Sequence, residues 1–160
     1  TGLQKGGIYN HFSSKDELAL EAFDYAFQTV RQQFSGVLRG QKHARDRLLA
    51  VVRAYEHFLD DPPLPGGCPI LNTAVESDDA HPALRDRAQQ AMNSWRSLIS
   101  RIVEKGISRN ELAPTCDPDA IATVIISTLE GAIMMSKLYG DSVYLNQAIQ
   151  HLIHYIQDQL

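Results

Sequence analysis

Cysteine is scarce in this 160-residue chain, and its two copies, Cys68 and Cys116, lie too far apart for the paired spacing of a zinc site. A helical chain of this size hardly needs a disulfide, so the pair points to a reducing, cytoplasmic setting. Positive charge is short as well. The formal net charge is -4, whereas a chain that bound nucleic acid along its whole length would show a basic balance. The apolar runs read as shorter than a membrane span and no charged-then-apolar leader is visible, which predicts no membrane partner. A glycine-rich phosphate loop, a metalloprotease signature and a nucleophile elbow are all missing. Catalysis is left with one story, a small thiol enzyme built on Cys68 and a distant histidine. The expectation is therefore no enzyme, no catalytic residues, no cofactor and no metal. Strand-like alternation, internal repeats and low-complexity tracts are absent too, and the predicted fold class is all-α.

What the chain does have is helical periodicity, with 44% hydrophobic content, enough for one good core. Ser14, followed three residues on by Glu17 and then by Leu18, Leu20 and Phe23, is a capping box opening a helix. That helix continues through "DELALEAFDYAFQTVRQQFSGVL" until Gly36 and Gly40. "KHARDRLLAVVRAYEHFLDD" predicts a second helix, with Leu48, Val51, Val52, Tyr55 and Leu59 on one side, stopped by "PPLPGG". A short third helix starts at Cys68 with Pro69 in its first turn. A fourth runs from "ALRDR" through Trp95 and Ile102, with Gly106 as its expected C-cap. The last two start at Asp117 and Ser142, both suited to an N-cap.

Of these two, "DPDAIATVIISTLEGAIMMSKLYG" is apolar over most of its circumference, and such a helix must be covered all round. The last helix adds a stripe of Leu145, Ile149, Leu152 and Ile156. One domain has few elements left to cover both, so a second copy of the chain is the economical cover. The expected homodimer interface is Ile121, Ile125, Leu129, Leu145, Ile149, Leu152 and Ile156, with Gly131 letting two helices approach closely.

At the opening of the chain, Ile8 and Phe12 fall at helical spacing in a short segment from Lys5 to Phe12. Lys5, Tyr9 and His11 face elsewhere, and Lys15 stands in the first turn of the following helix. This pattern suits a reader of phosphates and a groove, and it equally suits an amphipathic turn packed on the next helix. The stretch "GLQKGGIYNHFSSKDEL" resembles the end of the helix-turn-helix in the tetracycline-repressor (TetR/AcrR) family of transcriptional regulators, with Gly2, Lys5, Gly6, Ile8, Tyr9, His11, Phe12 and Lys15 filling the family's positions. The resemblance implies DNA contacts from Lys5, Tyr9, His11 and Lys15, with Ile8 and Phe12 holding the recognition helix to its domain. Gly7, beside Gly6, departs from the family pattern, and two adjacent glycines cost a helix about 1 kcal/mol each relative to alanine.

In such a domain two further helices precede the recognition helix, so the chain is expected to be part of a longer protein. Residues 1–15 would be the remnant of the helix-turn-helix, and residues 16–160 a C-terminal ligand-binding and dimerisation domain. The resemblance further implies a ligand-responsive repressor that binds a palindromic double-stranded DNA operator as a homodimer, in its full-length form, and is released by a small-molecule effector. Beyond the opening stretch the helices agree with the family only in number, length and a hydrophobic C-terminal pair. A plain helical dimerisation module and the thiol enzyme therefore remain as alternatives.

A ligand pocket in such a domain would lie between the long helices, lined by aromatics and a few polar groups. The residues expected there are Tyr55, Phe58, Met92, Trp95, Glu130 and Met134. Glu130, alone in an apolar helix, needs a partner. It would recognise a cationic or hydrogen-bonding ligand, pair across a dimer, or sit on a wet face. Cys68 is a redox candidate, since a helix start lowers a thiol's pKa; the plain alternative is an unreactive core residue. His151 and His154 share a face at i, i+3 spacing, without a third metal ligand near them.

Overall fold

The computed structural model describes residues 11–77 and 81–160. Among them are six helices and no strand: α1 (Lys15–Phe34), α2 (Ala44–Arg53), α3 (Pro69–Glu76), α4 (Pro82–Ser108), α5 (Pro118–Tyr139) and α6 (Val143–Gln159). The expected all-α class is what forms. Most boundaries follow the local chemistry. The Ser14 hydroxyl accepts from the Glu17 amide at 3.0 Å, and the Glu17 carboxylate returns to the Ser13 amide at 2.6 Å, one residue further out than a strict capping box. Asp117 accepts from the Asp119 and Ala120 amides. At the start of α6 the capping oxygen is not Ser142 but Asp141, which accepts from the Val143 amide at 2.9 Å.

Three expectations are corrected. Gly106 does not cap α4 but lies buried inside it, where a Cβ would come within 2.5 Å of the Ala44 Cβ and 2.8 Å of Leu112; its bare backbone is what lets α2 cross α4 so closely. The second helix stops at Arg53 rather than running on to the aspartates. Residues beyond it coil in tighter turns, with the Tyr55 amide bonded to the Val52 carbonyl and the Phe58 amide to the Tyr55 carbonyl, three residues back in each case. Finally, α5 is long and apolar enough, by length and composition alone, to cross a membrane. Here it is instead the central helix of the bundle, packed on α4 along one side and α6 along another.

Two cores result. The larger joins α2, α4, α5 and α6 around Leu48, Val52, Ile99, Ile125, Leu129 and Leu152, none of them exposed. The smaller holds α1 and α3 against α4 through Phe23, Cys68, Ile70, Ala88 and Ala91. Met92 and Trp95 of α4 touch both. Helix α1 buries only Phe23 fully in its 20 residues and leans on α3 and α4, helped by an Asp24–Arg87 ion pair at 2.5 Å and an Asp16–His81 contact at 3.3 Å. The start of α2 has no cap of its own; its first amide, that of Ala44, donates at 2.7 Å to the Glu111 carboxylate from the turn after α4.

Ile121, Ile125, Leu129, Leu145, Ile149, Leu152 and Ile156 all lie in the larger core, each at most 3% exposed within the single chain. They are therefore not the free face expected to meet a second copy. Helices α2 and α4 cover the stripes that appeared to lack cover. On α5 and α6 the exposed large apolar residues lie instead on the opposite side of α5 and at the head of α6: Val124, Met134, Met135, Leu138, Tyr139 and Val143.

Candidate functional site

Between the two cores lies a cavity of about 740 Å³, in the size range of sites for drug-like molecules. Helix α1 supplies Phe27, Val30 and Phe34 to one wall, at i, i+3 and i+7 on a single face. The turns after α2 supply Tyr55 and Phe58, α4 supplies Trp95 and Leu98, the start of α3 supplies Cys68 and Ile70, and α5 supplies Glu130. The early end of α2 matters here, because the tightened turns re-aim Tyr55 and Phe58 toward α1. Tyr55 is the hub of the aromatic lining. Its ring lies 4.9 Å from Phe34, 5.5 Å from Phe58 and 5.9 Å from Trp95, nearly parallel to the last. Such contacts add to area burial and hold the lining in a fixed shape.

Glu130 is the chemical anomaly. It is 6% exposed, and neither carboxylate oxygen has a hydrogen-bond partner among the described residues. Burial raises its pKa, an effect only partly opposed by the neighbouring Cys68 thiol, which lies beside the carboxyl without making a hydrogen bond of ordinary geometry to either oxygen. Burial likewise pushes the Tyr55 phenol well up, reinforced by the Glu130 charge and then by Cys68. The lining thus includes a buried carboxyl, without a hydrogen-bond partner among the described residues, beside Tyr55 and Cys68.

Cys68 is corrected by the same geometry. The turn through Gly66 and Gly67, with φ of +111° and +91°, drops it into the smaller core at the start of α3. Backbone amides of Leu71 and Ile70 do favour the thiolate, as a helix start should. Burial and the adjacent Glu130 carboxyl outweigh them, and the thiol is pushed up, away from reactivity. This removes the basis for the thiol enzyme and for redox sensing at Cys68.

Of the six residues expected in a pocket, Tyr55, Phe58, Trp95 and Glu130 line the cavity together. Met92 is half-buried between the two cores beside it. Met134, one helical turn beyond Glu130, is 53% exposed and does not line the cavity. Phe34, Val30 and Leu98 were missed; their signal was the shared face of α1 and the position of Leu98 one turn from Trp95. His151 and His154 are exposed on α6, and no group of three metal-binding side chains occurs among the described residues. A second, more open groove of about 650 Å³ runs between α4 and the start of α5, but its lining is polar, with Arg96 ion-paired to Asp119, and it contains no orphaned buried atom.

Lys5 and Tyr9, with the short helix expected around them, lie outside the described residues. His11 is exposed in a turn, and Lys15 is exposed as the first residue of α1. The segment expected to read DNA therefore leads directly into the helix that walls the cavity.

Comparison with known proteins agrees with this arrangement. Residues 44–152 match the family described as "Tetracyclin repressor-like, C-terminal domain". The crystal structure of a TetR transcriptional regulator from Chloroflexus aurantiacus superposes with a TM-score of 0.93 at 47% identity, over 99% of this chain and 80% of that one. An uncharacterized HTH-type transcriptional regulator of Mycobacterium tuberculosis is 27% identical over 148 residues, spanning 88% of this chain and 71% of that protein. The HTH-type transcriptional repressor DhaR of a Mycobacterium species is 24% identical over 146 residues, or 89% of this chain and 71% of the repressor. With the opening motif, the six-helix bundle and these relatives in agreement, the chain belongs to the TetR family of transcriptional regulators.

Proposed function

We propose that this chain is the sensing and dimerising part of a ligand-responsive repressor, and that the cavity between the two cores is its effector site. The observation that carries this reading is a partly open, aromatic-lined cavity whose lining includes Glu130, a buried carboxyl without a hydrogen-bond partner among the described residues, walled by the helix that follows the DNA-reading segment. In this reading residues 1–15 are the remnant of the helix-turn-helix and residues 16–160 the regulatory domain, in a protein acting in the cytoplasm. Lys5, Tyr9, His11 and Lys15 are the DNA contacts.

A homodimer forms through the outer face of α5 and the head of α6. Val124, Ser127, Gly131, Met134 and Leu138 recur there at steps of three and four residues. Gly131 has no atom within 4 Å of where a Cβ would stand, so a helix from the second copy can approach its backbone. A stable interface needs to bury about 1,200 Å² or more in total, and two copies of this face offer the material. Reading a palindrome then requires the two recognition helices about 34 Å apart. An effector seated against Phe27, Val30 and Phe34 favours a different tilt of α1, shifts that separation and releases the operator.

Sedimentation tests the interface. The chain is expected to be dimeric at micromolar concentration, and Leu138→Asp to give a folded monomer, because it adds a charge to an exposed apolar face. Ile149→Asp is expected to unfold the chain instead, since its aspartate is buried within one subunit. A Leu138→Asp chain that stays dimeric sinks this interface. For the full-length protein, fluorescence anisotropy on a palindromic operator should show salt-dependent binding that falls on occupancy of the cavity.

A further inference from the structure

The cavity's polar end narrows the chemistry of what fills it. Three kinds of ligand group can meet the Glu130 carboxyl. A neutral hydroxyl or amide serves its oxygens while burial keeps the carboxyl as the acid, but makes a weaker bond to it than a charged donor makes to the anion. A quaternary ammonium balances the charge but offers no N–H to oxygens that have no hydrogen-bond partner. A protonated amine does both, through a charge-assisted hydrogen bond. The rest of the lining suits the same ligand, because aromatic faces such as those of Tyr55 and Trp95 attract a cation and receive an apolar body equally well.

Resting on the reading of this cavity as the effector site, we propose that it takes a lipophilic amine in its protonated form. The ammonium N–H groups bond the Glu130 carboxylate, and the apolar body lies against Phe34, Tyr55, Phe58 and Trp95. The groups around Glu130 do not compete for that role. Tyr55 and Cys68 face it uncharged, and the cationic side chains of the lining, Arg31 of α1 and Arg101 of α4, are exposed to water. Lys137, further along α5, runs its stem against Gly67.

Binding exchanges a proton. In the empty cavity burial favours the Glu130 acid; the arriving ammonium favours its anion, so the carboxyl releases H⁺ to solvent and a Glu130 carboxylate–ammonium pair remains. Amine affinity therefore rises with pH until Glu130 of the empty protein is itself ionised, and then levels off.

The test uses the purified chain with three matched probes: 4-(1-naphthyl)butylamine, the alcohol of the same skeleton and the corresponding carboxylate. Quenching of Trp95, the one tryptophan in the sequence, reports entry into the cavity. Titration calorimetry in two buffers of different ionisation enthalpy counts the protons released. The amine is expected to bind at least tenfold tighter than either analogue, with net proton release over the pH range in which Glu130 of the empty protein is protonated. Glu130→Gln should lose that preference and the proton release while still binding the alcohol. An amine that binds no better than the alcohol, or a preference that survives in Glu130→Gln, overturns the amine proposal and leaves the cavity as an effector site for neutral molecules. If none of the three quenches Trp95 at millimolar concentration, the amine proposal and the effector-site reading both fall. Should Glu130→Gln not fold, proton release by the unaltered chain decides alone, and its absence overturns the proposal.

Discussion

The larger core and the smaller one differ in how many helices commit to them. In the larger, α5 is enclosed between α4 and α6, while α2 packs on α4 and α6, and the Ser136 hydroxyl accepts from the Leu145 amide at 3.0 Å to tie the last two helices together. In the smaller, α1 offers one fully buried side chain and two polar contacts to α4. A regulator needs this inequality. In the proposed effector response, the part that would keep its shape is built from many buried contacts, and the part that would move has few. The cavity lies at the seam, with its aromatic hub on the firm side, Phe27 on the loose side, and Phe34 at the end of α1 packed against the larger core.

The largest effect should come from removing a side chain from each core in turn. Leu152→Ala empties space in the larger core and is expected to cost about 2–5 kcal/mol, lowering the melting temperature of the whole domain. Phe23→Ala should instead loosen α1: hydrogen exchange rises in α1 while α5 and α6 keep their protection. Equal loss of protection everywhere in both variants would make the two cores a single cooperative unit. Gly106→Ala comes next. The added methyl runs into Ala44 and Leu112 and should cost about 1–3 kcal/mol by overpacking, more than the helix propensity it gains. A rise in melting temperature would mean that α2 can shift on α4, contrary to a rigid larger core.

Glu130→Gln should act through pH. Because the folded-state pKa of Glu130 is raised, the folded protein binds the proton more tightly than the unfolded one. Its contribution to stability is full below the unfolded pKa and is lost as pH rises through the folded one. The unaltered chain should thus lose stability as pH rises above the ordinary carboxylate range, and the glutamine variant should show a flatter profile in urea melts. The smallest effect belongs to Asp24→Asn at the α1–α4 ion pair, which is partly exposed and should cost less than about 1 kcal/mol. A larger loss would show that α1 is held by charge more than by Phe23.

Most helix starts were legible because they are written locally, in Ser14 with Glu17, in Pro69 and Pro82, and in Asp117 with Pro118. Which side of α5 faces inward was not. A helix apolar nearly all round carries no stripe to read, so Ile125 and Leu129 were assigned to a partner when they belong to the core, and Met134 was assigned to a pocket when it faces outward. The cavity was legible only in part. Glu130 stood out as one carboxyl in an apolar run, and Tyr55, Phe58 and Trp95 as aromatics at inward positions. Phe34 and Val30 were not found, because their role depends on α2 ending early and on Tyr55 and Phe58 beyond it meeting the end of α1, neither of which is encoded nearby. Cys68 was misread for a related reason: the local rule for a helix start was right, but burial in the smaller core, reinforced by a carboxyl 62 residues away, outweighs it.

The borrowed cap of α2 has a kinetic consequence. At ten residues α2 is shorter than the length at which an isolated helix persists in water, and its first amide is satisfied only when Glu111, 67 residues further along, is already beside it. Local nucleation therefore favours α4, α5 and α6, which have end signals of their own, and α2 joins after the chain has closed a long loop. Tyr55 and Phe58 follow α2 into place, so the cavity is among the last parts of the molecule to acquire its shape during folding. A nascent chain released before Glu111 has emerged from the ribosome would have the walls of α1 and α3 but nothing yet to sense with.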